Sequence, residues 1–562
     1  MDLTLHSNNK EKNNNMKNKY LGILILSTLF LFAACKKESL NLKDPVSPTV
    51  SSVNTESGIF PFALGMWSKM VGGDFWIAAH YHSTMGDETF IPWGNYGWRW
   101  GNQVSKITLP DGTVVNNPIG PLQKDQLQST NSREAGDVNA FYYEWKSMYY
   151  TIATSNLLLN YTKKPSFTFS GDAATKQKVL QAWAYFCRGY AYSRIGSMYI
   201  AGVINNLSGT SDFVQDNFVS SANIVKEGNA NLDSAIAILN GVSNNDTYAA
   251  MLGGGGGISI VPAFCNTHGL VKPDNWVRIC NTMKARNILV NKKTASMSSA
   301  DWKAVQDLAA IGMKEGDVTF TEGFTPDLNN QIPGGDWTPS ISLSDNNGGG
   351  GWLFVSERLV QEFKANDARL DRNFISDYGI VLLNPRNRGI NFGTTYHTID
   401  AEDGGDFTTR DNTTNVQAYF VPSYEENELM LAEAKINQSN IDAGLAHIDA
   451  VRTAQNADLP AVSGTGLTFT QAKEELRTER RVALFLRGLA FYDARRWGVT
   501  AARSAGGGRA NANVLVPKGY GSYTSNAVRK CFIEYNFMDY WDVPLNELDF
   551  NKPSSTSVPV KQ

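Results

Sequence analysis

EELRTERRVALFLRGLAFYDARRWG, residues 474–498, is the stretch on which the reading of the whole chain turns. Val482, Phe485, Leu486 and Leu489 recur at helical spacing, and Leu484 with Phe491 begins a second apolar stripe. A helix that is apolar on two sides is enclosed by its neighbours rather than laid on a surface. The same stretch carries Arg477, Arg480, Arg481, Arg487, Arg495 and Arg496. Buried guanidinium groups need carboxylate or carbonyl partners, so these arginines are expected to pin neighbouring segments in place. Glu474 lies three residues before Arg477 and Asp493 three before Arg496, a spacing at which helical side chains meet. The pattern predicts one helix that stops at Gly498.

Outward from it, helical patterns fall over residues 137–161, 173–199, 231–239, 274–292 and 300–314. Asp111-Gly112 marks a turn, with a short hairpin expected over 108–115. Trp145, Trp183 and Trp497 sit in helical patterns and are read as core, as is Cys187. The glycine run 253–257 is read as a mobile loop, and 323–351, poor in apolar residues, as a long insertion with Trp337 in its middle.

Residues 72–101, GGDFWIAAHYHSTMGDETFIPWGNYGWRWG, show no sustained helical period and are read as an irregular loop region loaded with aromatic rings. Within it and just beyond, Trp93, Tyr96, Trp98 and Trp100 offer flat faces, while Asn95, Arg99 and Asn102 offer polar contacts. A sugar ring presents a weakly positive face of C–H bonds to the negative face of an aromatic ring, and amides and guanidinium groups read its hydroxyls. These seven residues, with Trp337 as a further candidate, form the expected ligand site.

Catalysis finds less support. Asp87-Glu88 and Glu402-Asp403 are adjacent carboxylates, read as solvated loop acids rather than a pair facing one glycosidic bond. G-x-S-x-G, H-E-x-x-H and a Walker loop are missing from the sequence. His80-x-His82 would set two imidazoles on one side of a strand, and with no obvious third ligand they are read as packed or surface histidines. No cofactor or metal is expected. Cys187, Cys265, Cys280 and Cys531 form no C-x-x-C, and their pairing is open. A net charge of -3 without a basic block makes nucleic acid an unlikely partner.

The N-terminus reads as a processing segment. Lys17 and Lys19 precede an apolar run over 21–32, too short for the about 20 residues that span a bilayer. Ala33-Ala34-Cys35 ends it in the manner of a bacterial lipobox, so residues 1–35 are expected to be a lipoprotein signal with Met16 as the true start and Cys35 as the lipidated residue. Residues 36–53 read as a flexible tether and 54–562 as the binding domain.

Glu479, Arg480, Arg481, Phe485, Gly488, Phe491, Asp493, Arg495, Arg496, Trp497 and Gly498 together resemble the signature helix of SusD-like (RagB/SusD) outer-membrane lipoproteins of Bacteroidetes. The sequence departs at Leu486-Arg487, where the family more often has an acidic residue before the glycine, which leaves the ion pairing there open. Asp367 with Arg369, the helix over 424–436, the segment 446–452 and the closing 540–548 resemble further family elements. The resemblance implies a mainly α SusD-like fold, with tetratricopeptide-like helical hairpins and an irregular loop-rich lobe. It also implies a glycan-binding, cell-surface lipoprotein that is not an enzyme and delivers its ligand to a SusC-like TonB-dependent transporter. The alternatives are the same role for a peptide or glycopeptide, or a glycoside hydrolase.

Overall fold

The computed structural model describes residues 53–562 apart from 92–94, 102, 121, 207–214, 254–256, 263–268, 323–353, 377–382, 384–388, 400–417 and 420. Its principal helices are α1 (Glu56–Met70), α2 (Gly73–Met85), α3 (Ala140–Thr162), α4 (Ala173–Met198), α5 (Ser221–Leu239), α6 (Pro273–Val290) and α7 (Ser299–Ala310). They continue with α8 (Tyr424–Asn437), α9 (Ile441–Ala454), α10 (Phe469–Ala483) and α11 (Ala490–Arg496). Polar side chains start them where the chain needs it. Asn139, Asp172 and Ser220 accept the free N–H groups of the first turns of α3, α4 and α5, and Ser298 with Asp301 and Thr468 with Gln471 close reciprocal caps on α7 and α10.

From α3 to α10 each helix packs on the next in sequence. The α4–α5 contact is close at Gly189 and Gly228. A Cβ at Gly189 would come within 2.9 Å of the Leu232 side chain, and one at Gly228 within 2.8 Å of Ser193 Oγ. Trp67 of α1 stacks on Trp183 of α4 at 5.9 Å, with Phe186, Trp276 and Phe320 closing the cluster. Trp145 is likewise sealed in the core.

One sheet ties the two ends of the described chain together. Strands β1 (Lys106–Thr108), β2 (Val114–Asn116), β3 (Arg509–Val516) and β4 (Ala527–Glu534) run antiparallel in the order β3-β4-β1-β2. The hairpin expected around Asp111-Gly112 is its β1–β2 pair, with Ile107 opposite Val115.

Four expectations need correction. Residues 474–498 form two helices, α10 and α11, because Leu486 and Gly488 take left-handed backbone angles (φ 57° and 68°). The break folds Asp493 back to Arg480, 2.8 Å away, which a straight helix does not allow over thirteen residues. Residues 73–85 are helix rather than loop. Phe75, Trp76, Ile77, Ala78, His80, Tyr81, His82 and Met85 are all buried, so α2 is enclosed on every side and carries no amphipathic period. The third helical pattern starts at Ser221, ten residues before the 231–239 reading. Trp497 is half-buried rather than core.

The expected arginine partners are present. Arg477 meets Glu474, Arg496 meets Asp493 and Glu433, and Arg495 donates to the carbonyl oxygens of Ser197, Asp539 and Val290. Arg369 bridges Asp367 and Glu479. Cys187, Cys280 and Cys531 are buried free thiols, while Cys35 and Cys265 lie outside the described residues. No helix among the described residues is long and apolar enough to cross a membrane.

Candidate ligand-binding site

The aromatic segment is fastened to α2. Trp98, on a four-residue helix Trp98–Gly101, donates its indole N–H to the Ile77 carbonyl (3.0 Å) and meets the His80 ring edge-on at 5.0 Å. Tyr81 donates its hydroxyl proton to the Tyr96 carbonyl at 2.6 Å. Gly97, at φ 71°, runs so close to Tyr81 and to the Val138 carbonyl that a Cβ would sit 2.7 Å from both. A side chain at that position would push the segment off its support.

These fastenings divide the predicted site. Trp98 is fully buried and is a buttress of the segment, which corrects its assignment as an exposed stacking face. The reason is its indole N–H, which finds a carbonyl acceptor on α2 and draws the ring inward. Trp100 is 9% exposed, with the Arg99 guanidinium 4.2 Å from its ring centre. Tyr96 and Arg99 are half-buried and present aromatic and cationic surface together. Asn95 opens the short 3₁₀ turn Asn95–Gly97. Trp93, Asn102 and Trp337 lie outside the described residues.

The histidine pair is corrected too. On a helix, His80 and His82 point in different directions rather than to one side of a strand. His82 Nε2 is 3.0 Å from Glu144 Oε2, and Arg194 donates to the other Glu144 oxygen at 2.7 Å. Burial lowers the His80 pKa to about 3, and it lowers His82 against the pull of Glu144. Among the described residues no group of three or more His, Cys, Asp or Glu side chains is placed to hold a metal ion.

Asp87 and Glu88 are buried, not solvated. Asp87 takes a fork of hydrogen bonds from Arg358 and one from the Tyr535 hydroxyl (2.9 Å). Burial pushes its pKa up, but Arg358 overrides it and brings it to about 2. For Glu88 burial wins and raises the pKa to about 8. The carboxylates have nothing in their neighbouring sequence that marks them as enclosed except the apolar Met85 and Phe90 on either side.

Beside Asp87 a cleft of about 720 Å³ opens between α10, α11 and β3. Sequence reasoning missed it, since its walls come from residues as distant as Met85, Arg358 and Lys530. Glu402 and Asp403 lie outside the described residues.

The chain matches no protein-family model and no curated protein. It does resemble solved structures along nearly its whole length. A SusD-like carbohydrate binding protein from Bacteroides vulgatus shares 13% identity at a TM-score of 0.54, over 90% of this chain and 98% of that one. A SusD-like protein from Bacteroides fragilis shares 13% at 0.52, over 92% and 98%. A structure described as being with xylogluco-oligosaccharide shares 13% at 0.52, over 89% and 99%. At such identities the agreement is one of architecture, and the mainly helical architecture that this chain adopts is the SusD-like fold.

Proposed function

We propose that the chain is a glycan-binding lipoprotein of the bacterial cell surface. In this reading Cys35 carries the acyl anchor, residues 36–53 are the tether, and captured oligosaccharide passes to a SusC-like TonB-dependent transporter. The observation that carries the reading is the fold, shared over about nine-tenths of the chain with proteins named as carbohydrate-binding. The neighbour series from α3 to α10 supports tetratricopeptide-like hairpins as its scaffold.

Tyr96, Arg99 and Trp100 supply the ligand surface, with Asn95, Trp93, Asn102 and Trp337 as further candidates. A half-buried tyrosine and, three residues on, a guanidinium set over Trp100 suit a pyranose, because the ring covers the C–H face while the cation and neighbouring amides take hydroxyl oxygens. No step of catalysis is assigned.

Affinity electrophoresis against plant and host polysaccharides, wild type beside Tyr96→Ala and Arg99→Ala, tests the reading. Retardation by at least one polysaccharide, weakened in both variants, is the expected result. No retardation by any glycan, with retention of a peptide ligand instead, would replace the glycan with a peptide. The same assay on the acylated protein and on Cys35→Ser, with membrane fractionation, checks the anchor.

A further inference from the structure

The cleft beside Asp87 is charged in a way the fold alone does not require. Six cationic side chains line it against four carboxylates, an excess of two positive charges. At its floor, Arg358, Arg481 and Arg509 share, among the described residues, the carboxylates of Asp87 and Glu362 alone. Arg358 is spent on Asp87, and Arg481 reaches the Gly86 and Asp87 carbonyls at 2.9 Å. Arg509 pairs with Glu362, which Arg477 also contacts at 2.9 Å and Arg481 at 3.1 Å. Glu362 therefore faces three guanidinium groups at once.

Buried charge of one sign is costly unless a counter-charge arrives. Arg358 and Arg481 are 3% and 7% exposed. Arg358 Nη1, Arg481 Nε and Arg509 Nη1 are buried nitrogens with no hydrogen-bond acceptor in suitable alignment among the described residues, although the last two lie near Glu362 and Asp87. Burial pulls the Arg481 pKa below its ordinary value, and the like charges of Arg509 and Arg477 pull it further. Glu88, whose carboxyl interacts with Arg481, is held protonated by its own burial and supplies no compensating charge near neutral pH.

The mouth of the cleft has a different character. Trp497 is half-buried there, Lys530 is exposed and makes no ion pair among the described residues, and Asn511 and Asn513 add amides from β3. From the excess charge inside and the ring and amides at the rim, we propose that this cleft is a second ligand site, for the anionic group of an acidic saccharide. The anion is a carboxylate or a sulfate, gripped through the guanidinium groups, while Trp497 covers the sugar face. Planar guanidinium forks match either group, and 720 Å³ lies within the size range of small-molecule pockets. The inference rests on the glycan reading for its ligand class, but on different residues from those of the aromatic segment.

Calorimetric titration of the full chain with trigalacturonate, a sulfated disaccharide and neutral cellotriose tests it, at low and high NaCl. The acidic probes are expected to bind and to weaken as salt rises, because the attraction is electrostatic. Floor arginines risk the fold, so the variants are at the rim. Trp497→Ala is expected to lower the affinity for acidic probes about tenfold and Lys530→Met about fivefold, with circular dichroism unchanged. Tyr96→Ala is expected to leave that affinity alone. Binding of only one acidic probe names the anion as carboxylate or sulfate. Failure of both acidic probes to bind, or binding indifferent to both rim variants, overturns the cleft. Tyr96-dependent binding of polysaccharide would still stand in that case, so the two readings fail separately.

Discussion

Glu88 gives the sharpest test of how this interior handles charge. Its carboxyl is 1% exposed, with one oxygen unpartnered among the described residues, and takes up the Leu486 N–H where the chain breaks between α10 and α11. Burial raises its pKa from the ordinary 4.5 to about 8. The native state therefore keeps a proton that the unfolded chain has released, and the stability from the neutral form is complete below pH 4.5 and lost as pH rises through about 8. His80 works the other way, since burial lowers it to about 3 and its effect on stability is spent by its ordinary value of 6.5. Above pH 6.5 the Glu88 contribution stands clear of it. From there to about 8, at about 1.4 kcal/mol per pH unit, holding the proton costs native stability about 2 kcal/mol.

Glu88→Gln removes the titration and keeps an oxygen to accept and an amide to donate. Urea unfolding followed by tryptophan fluorescence at pH 6.5 and pH 8.5 is the assay. Wild type is expected to lose about 2 kcal/mol more than Glu88→Gln between the two conditions. Equal losses in the two proteins would show that the carboxyl is already ionised at pH 6.5. That would also cut the charge excess at the neighbouring cleft from two to one, because an ionised Glu88 would set one negative charge against Arg481.

Other perturbations follow from single contacts. Arg496→Met strands Glu433 and half of the Asp493 pairing in the interior, and is expected to cost about 3–5 kcal/mol in denaturant unfolding. Gly228→Ala drives a methyl group to within 2.8 Å of Ser193 Oγ and 3.0 Å of its backbone nitrogen, at about 1–3 kcal/mol, read as a lowered melting temperature. Trp98→Ala empties a fully enclosed site and is expected to cost about 3–5 kcal/mol. Glycan affinity lost in that variant without any loss of stability would return Trp98 to the binding surface.

What the sequence revealed and what it hid follow from one property of patterns: they record how an element meets water. Glu474 with Arg477 and Asp493 with Arg496 were legible because i, i+3 neighbours meet whatever surrounds the helix. The helices α3, α4 and α6 were legible because each runs 18 residues or more, long enough for apolar residues to recur at helical spacing over several turns. α2 was not, since its polar side chains His80, His82, Ser83 and Thr84 are buried along with its apolar ones and mark no solvent face, and its histidines were read onto a strand for the same reason. Asp87 and Glu88 were read as solvated because charge in a sequence does not say whether water reaches it, and here Arg358 and Arg481 reach them from far along the chain. The aromatic segment shows the limit most clearly. Trp98 and Tyr96 are two residues apart, yet one donates its indole N–H inward to Ile77 and the other stays partly exposed. Composition marked that segment as a place for rings, but only the carbonyl waiting on α2 decides which ring supports and which one is offered.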